Sequence, residues 1–130
     1  MNKKSIKAPI IVGILILLFQ AYTTPVLLYT KLPWLDIPMH FAGGFVVAWF
    51  FAEYFRKERG GMSKLVGAVF IIGIAAIVGI AWEWFEWVLD NFIFIENQFM
   101  GGLDDTLFDL FMDLVGASCI ALLYSKKKKV

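Results

Sequence analysis

The residues of this sequence with a capacity for chemistry are carboxylates, and they come in stripes. Asp36 and His40 stand four apart, Glu83, Glu86 and Asp90 step by three and four, and Asp105, Asp109 and Asp113 step by four and four. On a helix such spacings put each set on one face, so three helices would present three polar stripes, one carrying the single histidine. Carboxylate oxygens and one imidazole nitrogen are ligands that hard and borderline divalent cations accept. His40, Glu83, Glu86, Asp105, Asp109 and Asp113 are therefore candidate metal ligands. Glu83 and Glu86 are also candidate general bases toward a metal-activated water. Two other chemistries fit the same residues: protons shared between coupled carboxylates, as in a proton- or cation-conducting site, and a purely structural, hydrogen-bonded polar core.

The composition says where such stripes must sit. The chain has 130 residues, 60% hydrophobic and 17% aromatic, with a mean hydropathy of +0.74. A soluble domain of this size would expose much of that surface to water, so the expected environment is a lipid bilayer. The net charge of +1 argues against a nucleic-acid partner, because the basic residues form short blocks beside apolar runs and are not interleaved with aromatics. Cys119, alone in an apolar stretch, excludes an internal disulfide and reads as a small core residue.

Since about 20 residues cross the hydrocarbon core of a bilayer, four segments have spanning length: about Ala8–Tyr29, Asp36–Phe55, Lys64–Asp90 and Asp104–Tyr124. The expected fold is an all-α integral membrane protein, one transmembrane domain over residues 1–130 built as a four-helix bundle. Pro9 suits a helix start, and Thr23-Thr24-Pro25 should kink or fray the far end of the first span. Residues 91–103 are too short and polar to span and read as a loop at the interface. Basic residues mark cytoplasmic ends. Lys3, Lys4 and Lys7 precede the first span, Arg56, Lys57, Arg59 and Lys64 join the second to the third, and Lys126 to Lys129 follow the fourth. All three blocks predict both termini in the cytoplasm. All acids but Glu53 and Glu58 then fall on the outer side, with Lys31 the sole basic residue there. A signal peptide is the competing reading of the N-terminus. The apolar run is longer than a signal core and no small-x-small cleavage site follows it.

Helical rise places Asp36, Asp90 and Asp105 in a shallow layer, His40, Glu86 and Asp109 about 6 Å deeper, and Glu83 and Asp113 about 10 to 12 Å below the surface. Gly43-Gly44 beyond His40, Ala75 and Gly79 before Glu83, and Gly116-Ala117-Ser118 beyond Asp113 would let the helices approach closely beneath this cluster. So many carboxylates cannot all ionise at low dielectric without a cation or protons, and no arginine is at hand. Blander readings attach to single residues. Asp36, Asp90, Glu96 and Asp104 would be interfacial caps or solvated charges, Asp104 complementing a helix dipole. Trp82, Trp84 and Trp87 would form an interfacial belt.

Taken together, His40-Phe41-x-x-Gly44, Glu83-x-x-Glu86-Trp87 and Asp105-Thr106-x-x-Asp109-x-x-x-Asp113 resemble the three signatures of the YjdF-like bacterial membrane proteins, and more remotely VanZ-like proteins. The resemblance covers about residues 36 to 117 and implies that His40, Glu83, Glu86, Asp105, Asp109 and Asp113 belong to one site. It names no reaction. Members usually have more spans, and this chain reads Gly101-Gly102-Leu103-Asp104 before its Asp stripe, so it resembles a minimal core.

Asp stripes also bind magnesium in lipid-phosphate and prenyl-diphosphate transferases. Those sites commonly add Arg or Lys and meet cytoplasmic donors, whereas these acids are expected outside. A metal-assisted hydrolysis of an outward-facing lipid or envelope precursor is the enzyme reading. A Ser-His-Asp triad lacks its serine, because Ser5, Ser63, Ser118 and Ser125 all lie in or toward the cytoplasmic half. The inner halves of the last two spans, Leu65–Ile80 and Leu114–Tyr124, are nearly all apolar, which favours a closed-ended pocket over a conduit. Association with further copies or other membrane subunits fits so small a bundle. The topology is checked by impermeant thiol labelling in intact cells: Gly102→Cys should react, while Gly60→Cys and Lys127→Cys should not. The reverse pattern would place the acids inside.

Overall fold

The structure, a computed structural model, describes residues 6–23, 31–93 and 99–126. Every regular element among them is helical: α1 (Lys7–Thr23), a single 3-10 turn (Pro33–Leu35), α2 (Asp36–Tyr54), the one-turn α3 (Arg56–Arg59), α4 (Lys64–Phe92) and α5 (Leu103–Lys126). Local chemistry marks the boundaries. Pro33 opens the turn that leads into α2, where a proline in the first turn, Pro38, removes no helical hydrogen bond. The Ser63 hydroxyl caps α4 by accepting from Val66 N at 3.3 Å. Gly102, at φ +110°, takes the left-handed conformation through which the chain turns into α5.

Three helices are long and apolar enough to cross a membrane, Pro33–Tyr54, Lys64–Phe92 and Leu103–Tyr124. α1 is equally apolar, but at 17 residues it is shorter than the roughly 20 a span needs. The remainder of the expected first span and part of the expected interfacial loop, residues 24–30 and 94–98, lie outside the described residues. α4 continues to Phe92, two residues beyond the expected span.

α2 and α5 form the most extensive interface, α4 closes against both, and α1 lies along α2. The polarity of this assembly is inverted relative to a soluble protein. The apolar core consists of Ala48, Ala52, Ala75 and Ala117 with Ile71 and Ile120. Leu65, Ile77, Trp84 and Leu122 point outward, 74, 68, 69 and 62% exposed. His40, Glu83, Glu86, Asp90, Asp109 and Asp113 are buried. In hydrocarbon the large apolar side chains gain nothing by facing inward, so small residues and polar contacts decide which helix faces meet.

Two glycines set the closest approach. A Cβ on Gly44 of α2 would collide with the backbone of Asp113, and a Cβ on Gly116 of α5 would collide with the backbone of Phe41. The contact is reciprocal and brings Asp113 of α5 to the level of the first turns of α2. Gly79 of α4 receives the Asp113 carboxylate in the same way. The buried face of α4 runs Gly67, Ile71, Ala75, Gly79, Glu83, Glu86, Asp90, small and apolar over its first half and acidic over its second. At the other end of the bundle Glu53 is buried, accepts from the Tyr124 hydroxyl and pairs with Arg56, and the Arg59 guanidinium lies 5.0 Å from the Tyr124 ring centre.

Adding one methyl group therefore tests the packing. Gly116→Ala should destabilise by about 1–3 kcal/mol through overpacking against backbone. Gly73→Ala, where a Cβ meets nothing within 4 Å, should be neutral or stabilising by up to about 1 kcal/mol from helix propensity. Thermal midpoints in detergent check the contrast, and equal midpoints would remove the close helix approach.

Candidate metal site

His40 stands at the centre of the acidic stripes. Its position four residues into α2 lets the ring reach both neighbouring helices across the Gly44 and Gly116 contact. Nε2 lies 3.7 Å from Asp36 Oδ1, 3.8 Å from Glu83 Oε1 and 4.0 Å from Asp109 Oδ2. On the opposite edge of the ring, Nδ1 lies 3.5 Å from Asp113 Oδ2. The two nitrogens thus face different acids: Nε2 faces three carboxylates from three helices, and Nδ1 faces one. Glu86 joins from the α4 side and is held by Trp82, whose Nε1 donates to Glu86 Oε1 at 2.9 Å.

Two overlapping groups bring their ligand atoms within 4.8 Å of one another, Asp36 with His40 and Asp109, and His40 with Glu83 and Glu86. Both use His40, so the pattern is one site with a choice of carboxylates. Glu83 Oε1 and Asp113 Oδ2 are fully shielded from solvent and accept no hydrogen bond. Among the described residues no lysine or arginine pairs with these acids; Lys31 is exposed, and the single such ion pair, Arg56 with Glu53, is at the far end of the bundle. A buried acceptor without a donor is costly, so these oxygens call for a cation or a proton.

Of the six ligands expected from the sequence, His40, Glu83, Glu86 and Asp109 fall in these groups. Asp113 lies beside them on the Nδ1 edge. Asp105 stays half-buried at the start of α5, where its Oδ2 accepts from Gly101 N at 3.0 Å, a helix-start contact outside either group. The family named "Predicted membrane protein (DUF2238)" matches residues 2–129. The chain belongs to that family. A protein of Thermotoga maritima described as "Uncharacterized protein" is 34% identical over 103 residues, 77% of this chain and 52% of the relative. The chain spans about half the length of that relative. No solved structure matches.

Three residues of this DUF2238 protein sit differently from their expected surface roles. Asp36, expected as a cap, lines the site, and its signal was the four-residue spacing to His40. Trp82 bonds Glu86 through the same kind of spacing, while Trp84 and Trp87 face outward as a belt would. Asp90 is buried and accepts from Phe99 N at 3.2 Å and Met100 N at 2.9 Å, tying the segment before α5 to the end of α4. No local pattern announces that contact. Glu96 lies outside the described residues. Asp90→Ala should lower the thermal midpoint by the equivalent of about 1–3 kcal/mol and speed amide exchange at Met100. An unchanged exchange rate would show that the clamp carries no load.

Proposed function

We propose that this DUF2238 protein is a multi-pass plasma-membrane protein whose outward-facing half binds a divalent cation through His40 and the surrounding carboxylates. Supporting the topology are the three basic blocks and an α1 that lies along α2, where a fourth span would sit. The observation that carries the cation reading is His40 Nε2 facing Asp36, Glu83 and Asp109 with no basic partner among the described residues. Asp113 on Nδ1 has the place of a carboxylate that orients a ligating imidazole and raises its basicity. That makes it the residue steering His40, with Glu83, Asp109 and either Asp36 or Glu86 supplying oxygen ligands. Asp105 belongs with the helix start.

A bound divalent cation supplies Lewis acidity toward a phosphoryl or carbonyl oxygen. Glu83, with an unpartnered oxygen, is the better placed general base; Glu86 is engaged by Trp82. The reaction such a site suits is hydrolysis of an outward-facing lipid or envelope precursor. The transport reading finds less support, because Ala48, Ala52, Ile71, Ala75, Ala117 and Ile120 fill the bundle between the site and Glu53. The YjdF-like resemblance agrees with one shared site, and functions of the relative's additional length do not transfer.

Purified protein should hold a divalent metal by elemental analysis, and added metal at about a hundred times its dissociation constant should stabilise the fold by roughly 3 kcal/mol. Asp109→Asn should abolish both effects, and Glu96→Gln should change neither. A wild type free of metal and equally heat-stable with and without chelator would leave a polar core as the better description.

A further inference from the structure

A cavity of about 300 Å³ opens between α1, α2 and α4 and ends on the site. Its volume lies in the range of small-molecule and cofactor sites. Its walls change character along its length. At one end stand Asp36, His40, Gln20 and Trp82; toward the other are Gly13, Val46, Val47 and Ala75. Asp36 to Val47 is eleven helical steps, about 16 Å, or roughly half of the 30 Å hydrocarbon core of a bilayer. The cavity therefore repeats the polarity of one leaflet over the depth of one leaflet, with its polar end on the acidic side.

Two observations say what enters. α1 packs along α2 and forms no comparable interface with α4, and the wall residues Leu17 and Val78 are 56 and 38% exposed, so the opening is sideways, toward lipid. Asp113 is among the residues lining the cavity, with its Oδ2 facing His40 Nδ1 at 3.5 Å, so the polar end of the cavity is the His40 site itself. Apolar cavities hold water poorly, and the surrounding bilayer offers hydrocarbon chains.

We infer that the cavity takes the hydrocarbon chain of one phosphate-headed lipid from the leaflet on the acidic side, with the phosphate at His40 and Asp36. The chain gains little by leaving one hydrocarbon environment for another, so the head group supplies the selectivity and the cavity supplies orientation. An anion beside this many carboxylates requires the bound cation as a bridge. The head-group assignment thus rests on the proposed cation site, whereas the chain assignment rests on the cavity alone.

The probe is a single-chain alkyl phosphate carrying a photoreactive diazirine, incorporated with the full-length protein into vesicles of a phosphate-free galactolipid, digalactosyldiacylglycerol. An alkyl trimethylammonium of the same chain is the comparison. Labelling by the phosphate should concentrate on peptides containing Gly13 to Leu17 and Ala75 to Val78. It should fall by about tenfold in Val78→Trp or Leu17→Trp, which fill the cavity from opposite walls. Ile77→Trp, the same bulk on a neighbouring residue that does not line the cavity, should label as the wild type does. Metal content should be equal in all of them, and the ammonium probe should label at background. Labelling spread evenly over lipid-facing positions such as Leu65 and Leu122 would overturn the inference while leaving a measured metal in place. Equal labelling by the two probes would overturn the phosphate assignment. Absence of metal from the wild type, with cavity labelling retained, would instead sink the cation site and support the chain-binding cavity.

Discussion

The constraint on which this structure depends is that one imidazole is surrounded by carboxylates in a place where, among the described residues, no lysine or arginine balances them. Like charges about 4 Å apart repel by some 4 kcal/mol even at an effective dielectric constant near 20. Asp36, Glu83 and Asp109 all come within 4.0 Å of a single nitrogen of His40. The helices can hold this arrangement only with a counter-ion or protons in it. The opposite end of the bundle shows how the same chain treats a buried carboxylate that is structural: Glu53 receives the Tyr124 hydroxyl and the Arg56 guanidinium. Among the described residues no lysine or arginine pairs with the acids around His40, although Glu86 receives the Trp82 indole N–H, and that missing positive charge is what supports the proposed site over a purely structural polar contact.

What holds those acids together is a feature with no charge at all. In hydrocarbon, large apolar side chains do not drive helices together, and here they point outward. The inward contacts are made by Ala48, Ala52, Ala75 and Ala117, and by Gly44 and Gly116 in reciprocal contact with the facing backbone. This contact sets the height of α5 on α2, so it decides which carboxylate meets which edge of the imidazole. Asp90 then fixes the segment entering α5 from the other side, through Phe99 and Met100. Site geometry and helix packing are in this sense one problem, solved by the same small residues.

The site is also asymmetric in its surroundings. Below it the interior is filled by the alanine and isoleucine core, and to one side it opens into the cavity between α1 and α4. The proposed site, sealed underneath and open laterally, suits partners that arrive from the membrane. The Thermotoga maritima relative is about one and a half times as long over its whole chain; the site is assembled wholly from residues of α2, α4 and α5 of this chain.

Much of this was legible in the sequence. Hydropathy alone gives the apolar helices at Asp36, Lys64 and near Asp104, because about 20 apolar residues admit few other readings. The four-residue steps predict that His40 and the acids share helix faces, because helix periodicity is local. Depth counting, however, put Glu86 and Asp109 level with His40 and left Asp36 shallow and Glu83 deep. In the structure the ring of His40 spans these layers, meeting Asp36, Glu83 and Asp113 together. Rise per residue orders positions along one helix; it does not give the shift of one helix against another, nor the reach of a side chain across the crossing. Those were decided by backbone contacts at Gly44 and Gly116. The burial of Asp90, the turn of Trp82 onto Glu86 and the two-sided environment of His40 likewise depend on which segments come face to face, and only the packed chain specifies that.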